Sequence, residues 1–389
     1  MKSRLSLSLA TAALFFSFPM RGFVGTDTAA EREDYPSPQE ALNDLKSKNI
    51  KMPTLPGMGA ADWFNTGDTL NLKGKIVLVD FWDYTCVNCI RTLPYLEEWH
   101  RRYKDDGLVI LGVHSPEFAF AKKRGNVAEA IKRFGIMYPV VMDNDFKIWD
   151  LFGNQYWPAK YIFDTKGTLR FVHFGEGDYG SFEAVIQKLL KEADSGLKLP
   201  SIMQPIRATD VPGAVCFLTT PETYLGYERG SIGNKGGSHN DEIASYSQPD
   251  EIGKDKFYLV GRWDIERQYA RCLGSGDLKD PLHGGDKLIM NYVAAEVNLV
   301  VKPMPLTDSL SQVPFRVYVY QDGKPVRKED WSIDLQSDSA GKTYISVDAA
   351  RMYYLVKNRE YGRHILTLVP TSDEFAAYAF TFVTACETN

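Results

Sequence analysis

An α/β domain followed by an all-β domain is what this sequence predicts, on three observations. Between Leu70 and Ala193, short apolar runs rich in β-branched residues alternate with amphipathic stretches of helical spacing. Beyond a polar stretch at 196–206 the period falls to two, and turn residues separate the runs. A Cys-x-x-Cys stands where the first buried run gives way to the first helix. The chain of 389 residues is long enough for both domains, and its 44% hydrophobic and 24% charged residues are those of a globular protein. A formal charge of −5 offers no basic field, so a nucleic-acid partner is not expected.

The elements follow in chain order. Lys2 and Arg4 precede the apolar run Leu5 to Phe18, which ends at Pro19; residues 1–25 therefore read as a secretory signal. The run falls short of the roughly 20 apolar residues of a membrane span, and an uncleaved anchor is the competing reading. The expected location is exported, periplasmic or extracellular, soluble after signal cleavage. Residues 26–55 form a polar lead-in segment. The α/β domain spans 56–195. Ile76-Val77-Leu78-Val79 is a buried strand, a helix runs from the Cys-x-x-Cys to about Lys104, and Leu108 to Val113 is a second buried strand. Val127–Phe134 is helical, Pro139–Met142 a short strand and Phe146–Phe152 another helix. Ala159–Asp164 and Leu169–Phe174 make a hairpin about Asp164-Thr165-Lys166-Gly167, and Ser181–Ala193 closes the domain as a helix. Residues 196–206 are a linker. In 207–389, seven or more short strands with almost no helix suggest a jelly-roll or β-sandwich, and Glu228–Glu242, rich in Gly, Ser and Asn, reads as a mobile loop.

The chemistry concentrates at Cys86 and Cys89. A cysteine at a helix start sits among backbone N–H groups that lack intrahelical partners, an environment that favours the thiolate. The spacing brings Cys89 to nearly the same face, so one thiol attacks and the other resolves the mixed disulfide. The redox-active disulfide Cys86–Cys89 then needs no bound cofactor. A structural zinc site is the competing reading, but it needs four ligands, and Cys216, Cys272, Cys386 and the six histidines are scattered. A purely structural disulfide is another, although so short a loop makes a weak staple.

Val79-Asp80-Phe81-Trp82 ahead of the pair, Asp80 six residues before the first cysteine and Pro94 eight after it resemble thioredoxin. The resemblance implies a thioredoxin fold in which Asp80 is the buried acid that exchanges a proton with the resolving thiol. Trp157-Pro158-Ala159 resembles the cis-proline segment that faces the cysteines and docks a substrate chain. The long separation of Cys86 and Pro158 leaves room for an extra βα unit, as in the TlpA and ResA subgroup. Tyr84 to Pro94, Gly112 to Phe120, Tyr156 to Ala159 and Phe174 to Tyr179 are similar to the soluble end of DipZ-type proteins. That family joins a membrane electron-conducting domain to a thioredoxin-like domain and a carbohydrate-binding-module-like β domain. The resemblance implies a thiol–disulfide oxidoreductase acting on proteins with disulfides or thiols. Its expected electron donor is a separate membrane protein of the DsbD/CcdA type. Trp82, Trp157, Glu117 and Glu176 are the candidate substrate-binding residues. A thiol peroxidase of the same fold is the alternative chemistry, against which Asp83 occupies the position where such enzymes carry Thr. Val87-Asn88 lacks the histidine of strongly oxidising sites, which favours a reductant.

The β domain shows no catalytic constellation. Tyr224, Tyr227, Trp263, Tyr269 and Tyr292 serve either as a glycan-stacking platform or as core. A glycan-binding module with an accessory redox domain is thus the reading of a different class. If the first and last strands of a jelly roll are neighbours, Cys272 and Cys386 would meet in a structural disulfide and leave Cys216 as the odd thiol.

Overall fold

The protein is described here from a computed structural model, which defines residues 51–387 apart from positions 56, 58, 67–69, 275–283 and 305–312. The secretory signal 1–25 and most of the lead-in lie outside the described residues.

The α/β half is built on six strands: β1 Trp63–Phe64, β2 Ile76–Trp82, β3 Leu108–His114, β4 Val140–Met142, β5 Ala159–Phe163 and β6 Leu169–Phe174. Their order across the sheet is β1-β4-β3-β2-β5-β6. Strands β2, β3 and β4 are parallel, while β5 and β6 run antiparallel as the hairpin expected at Asp164–Gly167. The helices are α1 Val87–Tyr103, α2 Arg124–Phe134, α3 Lys147–Leu151 and α4 Tyr179–Ala193. Every residue of β2 is buried because both faces of the sheet are covered. Ile76, Leu78 and Trp82 pack with Leu93, Leu96 and Trp99 of α1 and with Phe182 and Ile186 of α4. Val77, Val79 and Phe81 pack on the other face with Trp149 of α3. Gly135, at φ +68°, ends α2 in the left-handed conformation that a side chain would resist.

Among the described residues the second half is β, apart from two short 3₁₀ turns. Its strands are β7 Val215–Cys216, β8 Thr223–Tyr224, β9 Ile243–Tyr246, β10 Lys256–Ile265, β11 Ala270–Cys272, β12 Lys287–Pro303, β13 Phe315–Gln321, β14 Lys324–Pro325, β15 Leu335–Ser337, β16 Thr343–Val347, β17 Arg351–Pro370, β18 Phe375–Val383 and β19 Cys386–Glu387. Eleven of them form one antiparallel set rather than two separate sheets. Strand β12 makes this possible: β17 flanks it on one side, while on the other β10 pairs with its first half and β18 with its second. Trp263 and Tyr292 are fully buried in the core and Tyr224 faces the α/β half, so the five aromatic side chains form no common platform.

One sequence expectation is corrected, and two further segments make contacts that their composition did not announce. The disulfide joins Cys386 to Cys216, and Cys272 is a buried free thiol. Strands β11 and β18 are indeed neighbours, with Ala270 opposite Ala377 and Arg271 opposite Ala376. Their antiparallel sense, however, places Cys272 at the beginning of β18, whereas Cys386 lies beyond its end, about 35 Å of extended chain away. There β19 pairs with β7, and Cys386 faces Cys216 directly. The linker 196–206 is a packed strap: Leu197, Leu199 and Met203 join the α1–α4 core, and the Met203 N–H donates to Glu183. The Gly-rich loop is pinned to β10 by the Asn234 side chain, which donates to the Leu259 carbonyl and accepts from its N–H.

Candidate functional site

The turn after β2 is shaped by a buried carboxylate. Asp83 accepts hydrogen bonds from the Thr85 N–H at 2.7 Å, the Thr85 hydroxyl at 2.5 Å and the Glu117 N–H at 2.9 Å. Its own carbonyl accepts from the Cys86 N–H at 3.3 Å, which fixes where α1 begins. Cys86 is the N-cap of α1, and its Sγ accepts the Cys89 N–H at 3.2 Å. Cys86 is half-buried and Cys89 fully buried, both as free thiols. The capping geometry thus aims one of the helix's unpaired N–H groups at the first sulfur.

Burial pushes the Cys86 thiol up. The Cys89 thiol and N–H pull it back, and the charges of Glu117 and Glu222 add to the rise. Desolvation thus opposes the hydrogen bonds by which the helix start favours the thiolate. Cys89 is pushed further up, by burial, by Cys86 and by the Asp80 charge.

Asp80 lies on β2 with almost no exposure, and its Oδ1 has no hydrogen-bond partner among the described residues. Burial raises it to about 7 against the opposing pull of Lys160. Lys160 is opposite Asp80 in the β2–β5 register, is itself buried, and donates to the Gly175 carbonyl at 3.2 Å. Its charge also acts on Cys89 and Cys86. Sequence reasoning missed both Lys160 and Asp83. The signal for Lys160 was present: a lysine inside the otherwise apolar run Ala159–Phe163 demands a buried partner.

The Trp157–Pro158 peptide bond is cis. Ala159 pairs with Phe81 at the end of β2, so the proline borders the turn that carries the cysteines. Trp157 is half-exposed, with its indole N–H donating to the Ser115 carbonyl at 3.0 Å and its ring against Trp149.

The other candidate binding residues are engaged within the chain. Trp82 is completely buried, since the face of β2 that carries it is covered by α1, and it has no surface to offer a substrate. Glu176 pairs with Arg91 of α1 at 2.6 Å. Glu117 accepts from the Tyr224 hydroxyl at 2.8 Å and from Arg229 at 2.9 Å, both contributed by the second half. Behind the turn, His114 is buried 3.6 Å from Asp83, and burial lowers it to about 3, which keeps the ring neutral.

Comparison with known proteins adds the following. Residues 48–172 match the AhpC/TSA family, and residues 220–382 match the thioredoxin-like C-terminal domain family. Protein DipZ of Mycobacterium tuberculosis is 38% identical over 273 residues, which cover 69% of this chain and 36% of DipZ. The chain therefore spans little more than a third of that relative. Thiol-disulfide oxidoreductase YkuV of Bacillus subtilis is 30% identical over 145 residues, 37% of this chain and 96% of YkuV. Among solved structures, a thioredoxin-like protein in its oxidised form aligns with a TM-score of 0.33 and 29% identity, over 36% of this chain and 95% of its own.

Proposed function

Because the chain belongs to the thioredoxin-like thiol–disulfide oxidoreductases, we propose that it is an exported reductant of protein disulfides that cycles Cys86 and Cys89 between dithiol and disulfide. One arrangement carries the reading: a half-exposed Cys86 at the helix start, a buried Cys89 whose N–H points at the first sulfur, and the buried acid Asp80 on the strand before them.

The chemistry follows from that placement. The Cys86 thiolate attacks one sulfur of a substrate disulfide; the substrate S–S bond breaks and the departing sulfur takes a proton. Cys89 then gives its proton to Asp80 and attacks Cys86 Sγ, which releases the second substrate sulfur. Two electrons have passed to the substrate, and the Cys86–Cys89 disulfide remains. An acid held near 7 takes and returns a proton with little cost in either direction, and Lys160 stabilises its charged form. Trp157 and Pro158 offer an edge beside the cysteines for a substrate chain. Cys86 lies above the usual thiol range, so the reduced form gains little from a stabilised thiolate, and this supports a reductant over a strong oxidant.

The run at 1–25 supports export, and the DipZ resemblance supports a membrane electron donor of the DsbD/CcdA type. The test is the reduction potential of the pair in glutathione buffers. A value near that of thioredoxin, about −270 mV, is expected; one above roughly −150 mV would reject the reductant reading. Loss of insulin-disulfide reduction in Cys86→Ser is the companion result, and retained activity there would reject the cycle itself.

A further inference from the structure

The feature that neither the redox cycle nor the resemblance accounts for is a set of side chains from the second half seated against the turn that carries Cys86. Tyr224 of β8 places one hydroxyl 2.8 Å from Glu117 Oε1 and 2.8 Å from Glu222 Oε2. Arg229 donates to the same Glu117 oxygen at 2.9 Å and stacks its guanidinium on the Tyr224 ring, 3.6 Å from the centroid. The Glu117 side chain is only 8% exposed. Its N–H is held by Asp83, the residue whose carbonyl fixes the Cys86 N–H. A continuous set of bonds therefore runs from the second half to the backbone N–H of Cys86.

A tyrosine hydroxyl has one proton. It can donate to one carboxylate only, and its oxygen must accept a proton from the other at the same distance. Glu117 has the guanidinium and is the ionised partner; Glu222 then carries the proton and donates to the Tyr224 oxygen.

We propose that the second half completes the redox site: Tyr224 bridges Glu117 and Glu222 so that the two carboxyls hold one proton between them, and the charge this leaves beside Cys86 governs how readily the thiol is deprotonated. The inference rests on Cys86 being the attacking thiol. Below neutrality the pair bears one negative charge. As pH rises, Glu222 releases its proton to solvent, a second charge appears beside Cys86, and thiolate formation is held back. No electrons move in this step. Glu222 is exposed as a residue, yet burial about its carboxyl and the Glu117 charge push it up to about 7, in the range where the release matters. Cys86 is faced also by Cys89 of α1 and Lys160 of β5, and Glu117 by Asp83, Tyr224 and Arg229. Among these, Glu222 is the group that changes charge near neutrality on the accessible side of the site. Glu117, Glu222, Tyr224 and Arg229 are positioning residues: they act on the reaction through Cys86.

The test is the rate of iodoacetamide alkylation at Cys86 in the reduced full-length protein between pH 5.5 and 9, read by mass spectrometry. The wild type is compared with Glu222→Gln and Glu117→Gln. In Glu222→Gln the pair keeps one charge at every pH, so its rate should match the wild type at the acid end and exceed it by roughly fivefold at the alkaline end, as expected for one charge removed at close range. Glu117→Gln likewise never gains a second charge, and should show the same gain at the alkaline end. Loss of a merely structural contact would shift the rates by the same factor throughout, so profiles that stay parallel overturn the proposal. So does a wild-type profile with no inflection near neutrality. If Glu117→Gln does not fold, the exposed Glu222→Gln decides alone. Preferential labelling of Cys89 would instead refute the assignment of Cys86 as nucleophile, a separate failure.

Discussion

Replacing Asp80 by Asn should make the protein more stable at alkaline pH and a poorer reductase. The carboxyl is buried and its proton is held to about 7, against 3.8 for a free aspartate side chain. Between those values the folded state binds more protons than the unfolded state, so stability is fully present below pH 3.8 and is lost as pH rises through 7. The difference of about 3 pKa units, at about 1.4 kcal/mol each, means that the ionised Asp80 costs about 4 kcal/mol above pH 7. Asparagine mimics the protonated acid and keeps the Lys160 charge in the same neutral company, so it avoids that cost. Urea unfolding of the reduced wild type and Asp80→Asn at pH 8 should differ by about 4 kcal/mol in favour of the variant, and the gap should shrink to about 1–2 kcal/mol at pH 5. Over the same range, turnover with insulin should fall, since Cys89 loses its proton acceptor. A variant no more stable than wild type at pH 8, or a gap independent of pH, would refute the placement of a buried, proton-holding acid.

Alkylation of the native reduced protein should modify Cys86 first, because Cys89 and Cys272 are buried; early modification of Cys272, measured by peptide mass, would contradict its place in the β core. Cys89→Ser should accumulate mixed disulfides through Cys86, visible as reducible adducts on non-reducing gels. Cys386→Ser removes a bond that spans a sequence separation of 170, and by the chain-entropy relation should lower stability by up to about 5 kcal/mol; peptide mapping that links Cys386 to any cysteine except Cys216 would overturn the pairing. Gly112→Ala puts a methyl 3.1 Å from both Trp82 Nε1 and Tyr138 Cε2, and the overpacking should cost about 1–3 kcal/mol in urea melts.

What could be read from the sequence was what is local in the chain. Strand, turn, Cys86, Cys89 and helix occupy one short stretch, and the apolar runs either side of it declare their own burial. The groups that were missed come together through register. Lys160 meets Asp80 because β5 lies beside β2, and Tyr224 and Arg229 meet Glu117 across more than a hundred residues. Glu117 and Glu176, the substrate-binding candidates, have their charges answered by Arg229 and Arg91 within the chain. Trp82 was misassigned because the resemblance that names it does not show that both faces of its strand are covered. In the disulfide the neighbouring strands were correct and their relative direction reversed the outcome.

The packed strap at 196–206 changes what cutting the chain in two would leave behind. Leu197, Leu199 and Met203, together with Val300, Met352, Tyr378 and Ala379 of the β half, belong to the same apolar cluster as Leu93, Trp99 and Phe182. Phe118 and Phe120 lie 5.1 and 4.8 Å from Tyr378, ring to ring. A fragment ending at residue 195 would uncover that cluster along one side, as an interface cut open does, and so invite self-association. Because the two halves share this cluster, heating should melt them in a single transition in place of two sequential ones.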